Sequence, residues 1–110
     1  MQIGIIGAGN MGRALARGWG EPILLTDSGS GRAEKLAAEI GGKHVATNRE
    51  LAKQSDLVVL CHKPYQLEPV ALEIKAVAAR VVSVLGGIST RRLQEVYPDS
   101  QVFAVMPNTP

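Results

Sequence analysis

Gly7, Gly9 and Gly12 stand at G-x-G-x-x-G spacing, directly after a short apolar run, Met1-Gln2-Ile3-Gly4-Ile5-Ile6, and directly before a helix-forming stretch, Arg13-Ala14-Leu15-Ala16-Arg17. The chemistry this pattern supports is phosphate binding by main chain. The first glycine lets the chain turn sharply out of a strand. The second leaves room for a pyrophosphate to approach the backbone, and the third lets the helix pack close to the strand. The helix then turns unpaired N–H groups and a positive dipole end toward the phosphates. Asp27, 20 residues past Gly7, ends a second apolar run, where an acidic side chain pairs with a ribose 2′-hydroxyl. Strand, glycine turn, helix, strand and acid together form a dinucleotide-binding fingerprint. The plain structural alternative is a glycine-rich strand–helix turn with no ligand.

The elements that must position these residues alternate along the whole chain. Strands are expected over residues 2–7, 23–26, 44–46, 57–61, 81–85 and 101–106. Between them fall helices from Asn10 to Trp19, with Met11, Ala14, Leu15, Gly18 and Trp19 on one face, and over 32–40, burying Leu36, Ala37 and Ile40. Thr47-Asn48-Arg49-Glu50 reads as a capping box opening a short helix around Leu51. Pro64 starts a helix carrying Leu67, Val70, Ala71, Ile74, Val77 and Ala78 at i, i+3, i+4 spacing, and Ser89 or Thr90 caps a last helix that Pro98 stops. This alternation predicts an α/β fold: a doubly wound, mostly parallel, Rossmann-like sheet of about six strands, with ligands at the carboxyl ends of its strands. The loops to watch are 7–12, 26–32, 46–49, 61–65, 85–88 and 106–110.

Bulk properties narrow the class. The length of 110 residues allows one domain, and 45% apolar with only 4% aromatic residues implies an aliphatic core. The net charge of +2 is scattered apart from Arg91-Arg92, which is no nucleic-acid footprint. Cys61 is the single cysteine, so no intrachain disulfide is possible and a reducing, cytoplasmic setting is expected. Neither a signal peptide nor an apolar run near 18 residues is visible, so no membrane partner is expected.

At the watched loops the chain resembles the N-terminal half of pyrroline-5-carboxylate reductase, a family that reduces a cyclic imine to proline with a nicotinamide cofactor. The residues that carry the resemblance are 5–12, then Lys63-Pro64, then Ser83-Val84-Leu85-Gly86-Gly87-Ile88-Ser89, then Met106-Pro107-Asn108-Thr109-Pro110. It implies cofactor contacts from Gly7, Gly9, Asn10 and Met11 at the pyrophosphate, with Gly12 completing the turn. It also implies Ser28 near the adenosine ribose or its 2′-phosphate, and a cofactor contact from Asn48. Lys63, Pro64, Leu85, Gly86 and Gly87 would run beside the nicotinamide half, and Asn108 and Thr109 near the nicotinamide and substrate pocket. Plainer readings stand beside several of these. Asn48 is a favoured helix-cap residue, Pro64 a favoured first helical residue, Lys63 a common surface residue, and Gly86-Gly87 a simple strand end. Cys61-His62 departs from the small apolar residues usual in the family. His62 invites a proton-donor reading, yet no partner for it is visible, and one Cys beside one His makes no metal site.

The choice of cofactor divides physics from resemblance. Asp27 favours NAD(H) by repelling a 2′-phosphate, whereas the family more often uses NADPH. Ser28, Ser30 and Arg32 follow directly as a phosphate-sized set of donors, so NADP(H) is favoured and NAD(H) stays open. The expected reaction is hydride transfer to a C=N carbon, with a cyclic imino acid as small-molecule substrate and no catalytic side chain or metal ligand identified within these residues. Residues 1–110 are expected to form an NAD(P)-binding domain of a longer enzyme. A helical domain that holds substrate and makes the homo-oligomer would follow, so that these residues alone would not turn over. Two alternatives remain: a related imine, β-hydroxyacid or deazaflavin-linked oxidoreductase, and a non-catalytic module that senses NAD(P)H.

Overall fold

The computed structural model describes every residue except 8, 20, 28–30 and 106–110, and of Asn10 and Met11 the main chain alone. Among the described residues, the apolar runs become β1 (Ile3–Ile6), β2 (Leu24–Thr26), β3 (Lys43–His44), β4 (Leu57–Leu60), β5 (Arg80–Ser83) and β6 (Gln101–Ala104). They form one sheet in the order β3-β2-β1-β4-β5-β6, and every neighbouring pair is parallel. The helices are α1 (Asn10–Trp19), α2 (Arg32–Ile40), α3 (Asn48–Gln54), α4 (Leu67–Ile74) and α5 (Thr90–Val96), with a 3-10 turn at Pro64–Gln66 before α4. None is long and apolar enough to cross a membrane.

Alternation along the strands divides the core in two. Ile3, Ile5, Leu25 and Val59 pack against Ala16 of α1 and Ala33, Leu36 and Ala37 of α2. Ile6, Leu24, Val58, Leu60 and Val81 pack on the other face against side chains of α3, α4 and α5. Because β1 pairs with both β2 and β4, the winding reverses between β1 and β4. Open α/β sheets bind ligands in the crevice at such a reversal, beyond the carboxyl ends of the strands.

Several boundaries differ from the sequence reading for local reasons. The third strand is Lys43–His44 rather than 44–46. The fifth ends at Ser83, whose hydroxyl accepts the Leu85 N–H at 3.2 Å and turns the chain out of the ladder. α4 stops at Ile74, because the N–H groups of Val77 and Ala78 converge on the Ile74 carbonyl. Val77 and Ala78 still pack on the core as the spacing predicts. The face expected for α1 is corrected: Leu15 and Trp19 are 38% and 50% exposed, Ala14 and Gly18 are also exposed, and Gly12 and Ala16 are the buried positions. Helical periodicity ranks large apolar residues, whereas here the tight seat of Gly12 sets the phase of the helix. Thr47 and Ser89 cap α3 and α5, each accepting a third-residue N–H at 3.1 Å.

Tyr97 is fully buried, and among the described residues its hydroxyl has no hydrogen-bond partner. Burial first, and the Glu73 carboxylate second, hold the phenol well above its usual range, so it stays neutral. An orphaned buried hydroxyl costs about 1–3 kcal/mol. Tyr97→Phe is therefore expected to leave the urea midpoint unchanged or raise it, while a clear drop in midpoint would show that the hydroxyl is satisfied.

Candidate functional site

The exits of β1 and β4 meet at the point where the winding reverses. Gly7 has φ +102°, and its N–H donates to the Thr26 carbonyl at 2.8 Å. A Cβ there would lie 2.6 Å from the Cys61 carbonyl carbon and oxygen and from the His62 nitrogen, so no side chain fits. A Cβ at Gly12 would overlap the Gly7 carbonyl oxygen. These two positions lock the glycine turn, the start of α1 and the loop after β4 into one unit. Gly9 is different: its carbonyl accepts the Arg13 N–H at 2.9 Å to open α1, and among the described residues a Cβ there would meet no atom within 4 Å. It offers open space and no capping side chain, and the first turn of α1 holds no acid. Those are the properties an anion needs at a helix amino end. Asn10 and Met11 occupy that first turn.

A second group gathers beyond β2 and β3. Asp27 is half-buried, and its Oδ2 accepts the Ala33 N–H of α2 at 2.7 Å. Gly31, at the cap position with φ +81°, supplies no side-chain bond, so Asp27 caps α2 from six residues upstream. The buried Thr26 hydroxyl donates to Asn48 Oδ1 at 2.7 Å, and Asn48 Nδ2 lies 3.4 and 3.5 Å from the two Glu73 carboxylate oxygens. Asn48 is thus the first helical residue of α3, and Thr47 is its cap. Asp27, Asn48, Gln66, Val70 and Glu73 line a cleft of about 310 Å³. Arg32 is exposed as the first residue of α2, while Ser28 and Ser30 lie outside the described residues.

The loops after β4 and β5 share the same edge of the sheet. The exposed Lys63 donates its N–H to Gln66 Oε1, and Gln66 donates its N–H to the Lys63 carbonyl, both at 2.9 Å. Pro64 opens the 3-10 turn, where its missing N–H costs nothing. Burial pushes the Cys61 thiol up to about 12, which leaves it protonated and a poor nucleophile. His62 is only 8% exposed, and its Nδ1 lies 2.8 Å from the Lys63 carbonyl. A carbonyl only accepts, so Nδ1 carries the proton and Nε2 presents a lone pair. Burial lowers the His62 pKa, outweighing the opposite effect of that backbone bond. Beyond β5, Leu85 is buried, Gly86 and Gly87 are exposed, and Gly87 has φ +78°. Asn108 and Thr109 lie outside the described residues.

Sequence reasoning did not single out Thr26, Gln66 or Glu73. A hydroxyl ending the apolar run Ile23-Leu24-Leu25-Thr26 was the readable signal for the first, since a buried hydroxyl needs a partner. Gln66 and Glu73 carry no such signal, because their roles depend on how α4 lies beside α3.

Residues 2–87 match the family model described as NADP oxidoreductase, coenzyme F420-dependent. The chain is 34% identical over 119 residues to pyrroline-5-carboxylate reductase of Synechocystis, covering 100% of this chain and 45% of that protein. Among solved structures it superposes on a pyrroline-5-carboxylate reductase from Coxiella burnetii with TM-score 0.87 and 28% identity, covering 99% of this chain and 44% of the other. The Plasmodium falciparum pyrroline carboxylate reductase with NADP bound gives TM-score 0.79 and 27% identity, covering 100% and 43%. The chain thus spans less than half the length of these relatives.

The burial of neutral His62 fixes the sign of a pH effect. Its folded pKa lies below the ordinary value near 6.5, so the unfolded state binds the extra proton first as pH falls. Stability is expected to decline below that value and to level off once the folded state also protonates. His62→Gln is expected to flatten this slope in urea melts at stepped pH, and an unchanged slope would show that the imidazole is solvated.

Proposed function

The chain belongs to the family of NADP oxidoreductases, coenzyme F420-dependent, and from that premise we propose that it is the cofactor-binding part of a pyrroline-5-carboxylate reductase. It would present NAD(P)H for hydride transfer to the C=N carbon of 1-pyrroline-5-carboxylate, giving proline. The observation that carries the reading is the open amino end of α1 at Gly9, locked at the winding reversal by Gly7 and Gly12. The likeness to pyrroline-5-carboxylate reductases extends over essentially the whole chain and supports the choice of substrate class. The family description itself favours a second reading, an oxidoreductase that passes hydride between NADP and a deazaflavin.

In the first reading the pyrophosphate lies on the main chain of Gly7, Gly9, Asn10, Met11 and Gly12. The adenosine half enters the cleft of Asp27 and Asn48. The reduced nicotinamide, when bound, supplies the hydride. Lys63, Pro64, Leu85, Gly86 and Gly87 would border its half of the crevice. A protonated imine is already electrophilic, so the work of these residues is alignment rather than acid catalysis. Protonated Cys61 and neutral His62 fit that division of labour.

NADP(H) is the favoured cofactor. Asp27 spends one carboxylate oxygen on the α2 amide, which weakens its claim on a ribose hydroxyl, and Ser28, Ser30 and Arg32 supply donors for a 2′-phosphate. A further helical domain is proposed to hold the substrate and make the oligomer. Phe103 and Val105, 52% and 49% exposed at the last strand, give it an apolar edge to cover.

Fluorescence titration of the chain with both reduced cofactors tests the reading, with NADPH expected to bind more tightly than NADH and neither to support proline formation by these residues alone. Tighter NADH binding that reverses in Asp27→Ser would contradict the cofactor choice, and no binding of either would contradict the function.

A further inference from the structure

Among the described residues two buried side-chain atoms lack a hydrogen-bond partner, Tyr97 Oη and His62 Nε2. Tyr97 is explained by its place in the apolar core against α4 and α5. His62 is not, because it stands in the loop after β4 with its backbone nitrogen against Gly7, at the crevice where the winding reverses. Its ring is held in one state. The Lys63 carbonyl fixes the proton on Nδ1, so the orphaned Nε2 is a pure acceptor. A buried acceptor without a donor is destabilising, and this one is also closed to solvent, so a donor that arrives with a ligand reaches it only as the atoms covering it give way.

The direction of the dinucleotide says which part of it arrives there. The cleft opens between Asp27 and Asn48, beyond β2 and β3, and Gln66, Val70 and Glu73 of the 3-10 turn and α4, whereas the loop after β4 borders the glycine turn itself, where a Cβ on Gly7 would meet Cys61 and His62. With adenosine over β2 and pyrophosphate at α1, the loop after β4 meets the nicotinamide–ribose half.

Resting on the cofactor reading above, we propose that His62 is a cofactor-binding residue whose Nε2 accepts a hydrogen bond from an N–H or O–H donor of the nicotinamide–ribose half. The two donors this half offers are the carboxamide NH₂ and the ribose hydroxyls. The bond anchors the half of the cofactor that must be aligned for hydride transfer, and it uses the imidazole as a neutral acceptor rather than as an acid.

The test is the imidazole ¹⁵N resonances of the chain, with exposed His44 as internal control. Saturating NADPH is expected to shift Nε2 of His62 and leave His44 unmoved, while adenosine 2′,5′-bisphosphate moves neither. A shift already complete with 2′-phospho-ADP-ribose assigns the donor to the ribose, and a shift that needs NADPH assigns it to the carboxamide. His62→Val is expected to weaken NADPH binding by about tenfold, the worth of one hydrogen bond, without affecting the bisphosphate. His62→Gln, which keeps an acceptor oxygen, recovers part of that loss. NADPH binding with an unmoved Nε2, or an equal response to the bisphosphate, overturns the role of His62 alone. Failure of the chain to bind NADPH at all overturns the cofactor reading and this role with it.

Discussion

The exit of β1 passes so close to the exit of β4 that no side chain fits between them. Gly7 meets the Cys61 carbonyl and the His62 nitrogen where a Cβ would stand, and Gly12 closes on Gly7 in the same way. This close approach sets the rest of the site. It seats the first turn of α1 against the sheet, so that Gly12 and Ala16 face inward and Leu15 and Trp19 face out. It leaves Gly9 with open space in front of the amino end of α1. It also brings the loop that carries His62 and Lys63 to the same crevice, at the one place in the sheet where the winding reverses.

A second arrangement holds the edge of that crevice. Thr26 at the end of β2 fixes Asn48 at the start of α3, and Asn48 reaches Glu73 of α4, so three elements are tied by two side-chain contacts. Asp27 binds the first turn of α2, making one carboxylate serve a helix whose cap position is a glycine with no side chain to offer. The acid at the end of β2 is thus a structural residue of this domain as well as a candidate cofactor residue, and the two demands compete for the same oxygens.

The alternation of apolar runs and helical spacings made the elements legible, because β1, β2 and β4 are buried along nearly their whole length and the helices between strands carry periodic faces. The glycine turn was legible for the same reason that it matters: its spacing is a steric requirement. What escaped were features set by contacts distant in sequence. Asn48 read equally as a cap or a ligand residue, and the structure places Thr47 at the cap and frees the Asn48 side chain for Thr26. The face of α1 was misread because tight packing of a glycine outranked the burial of Trp19 and Leu15. His62 looked like a loop residue, and its burial with an unpaired Nε2 depends on how the loops fold together.

The central claim is that the locked glycine turn presents the amino end of α1 to a dinucleotide pyrophosphate. A crystal structure of the chain with NADPH tests it most directly. The account predicts a pyrophosphate hydrogen-bonded to main-chain N–H groups at the start of α1, in van der Waals contact with Gly9, with the adenosine half toward Asn48. A cofactor bound elsewhere on the sheet, or one whose pyrophosphate stands away from Gly9, would contradict it.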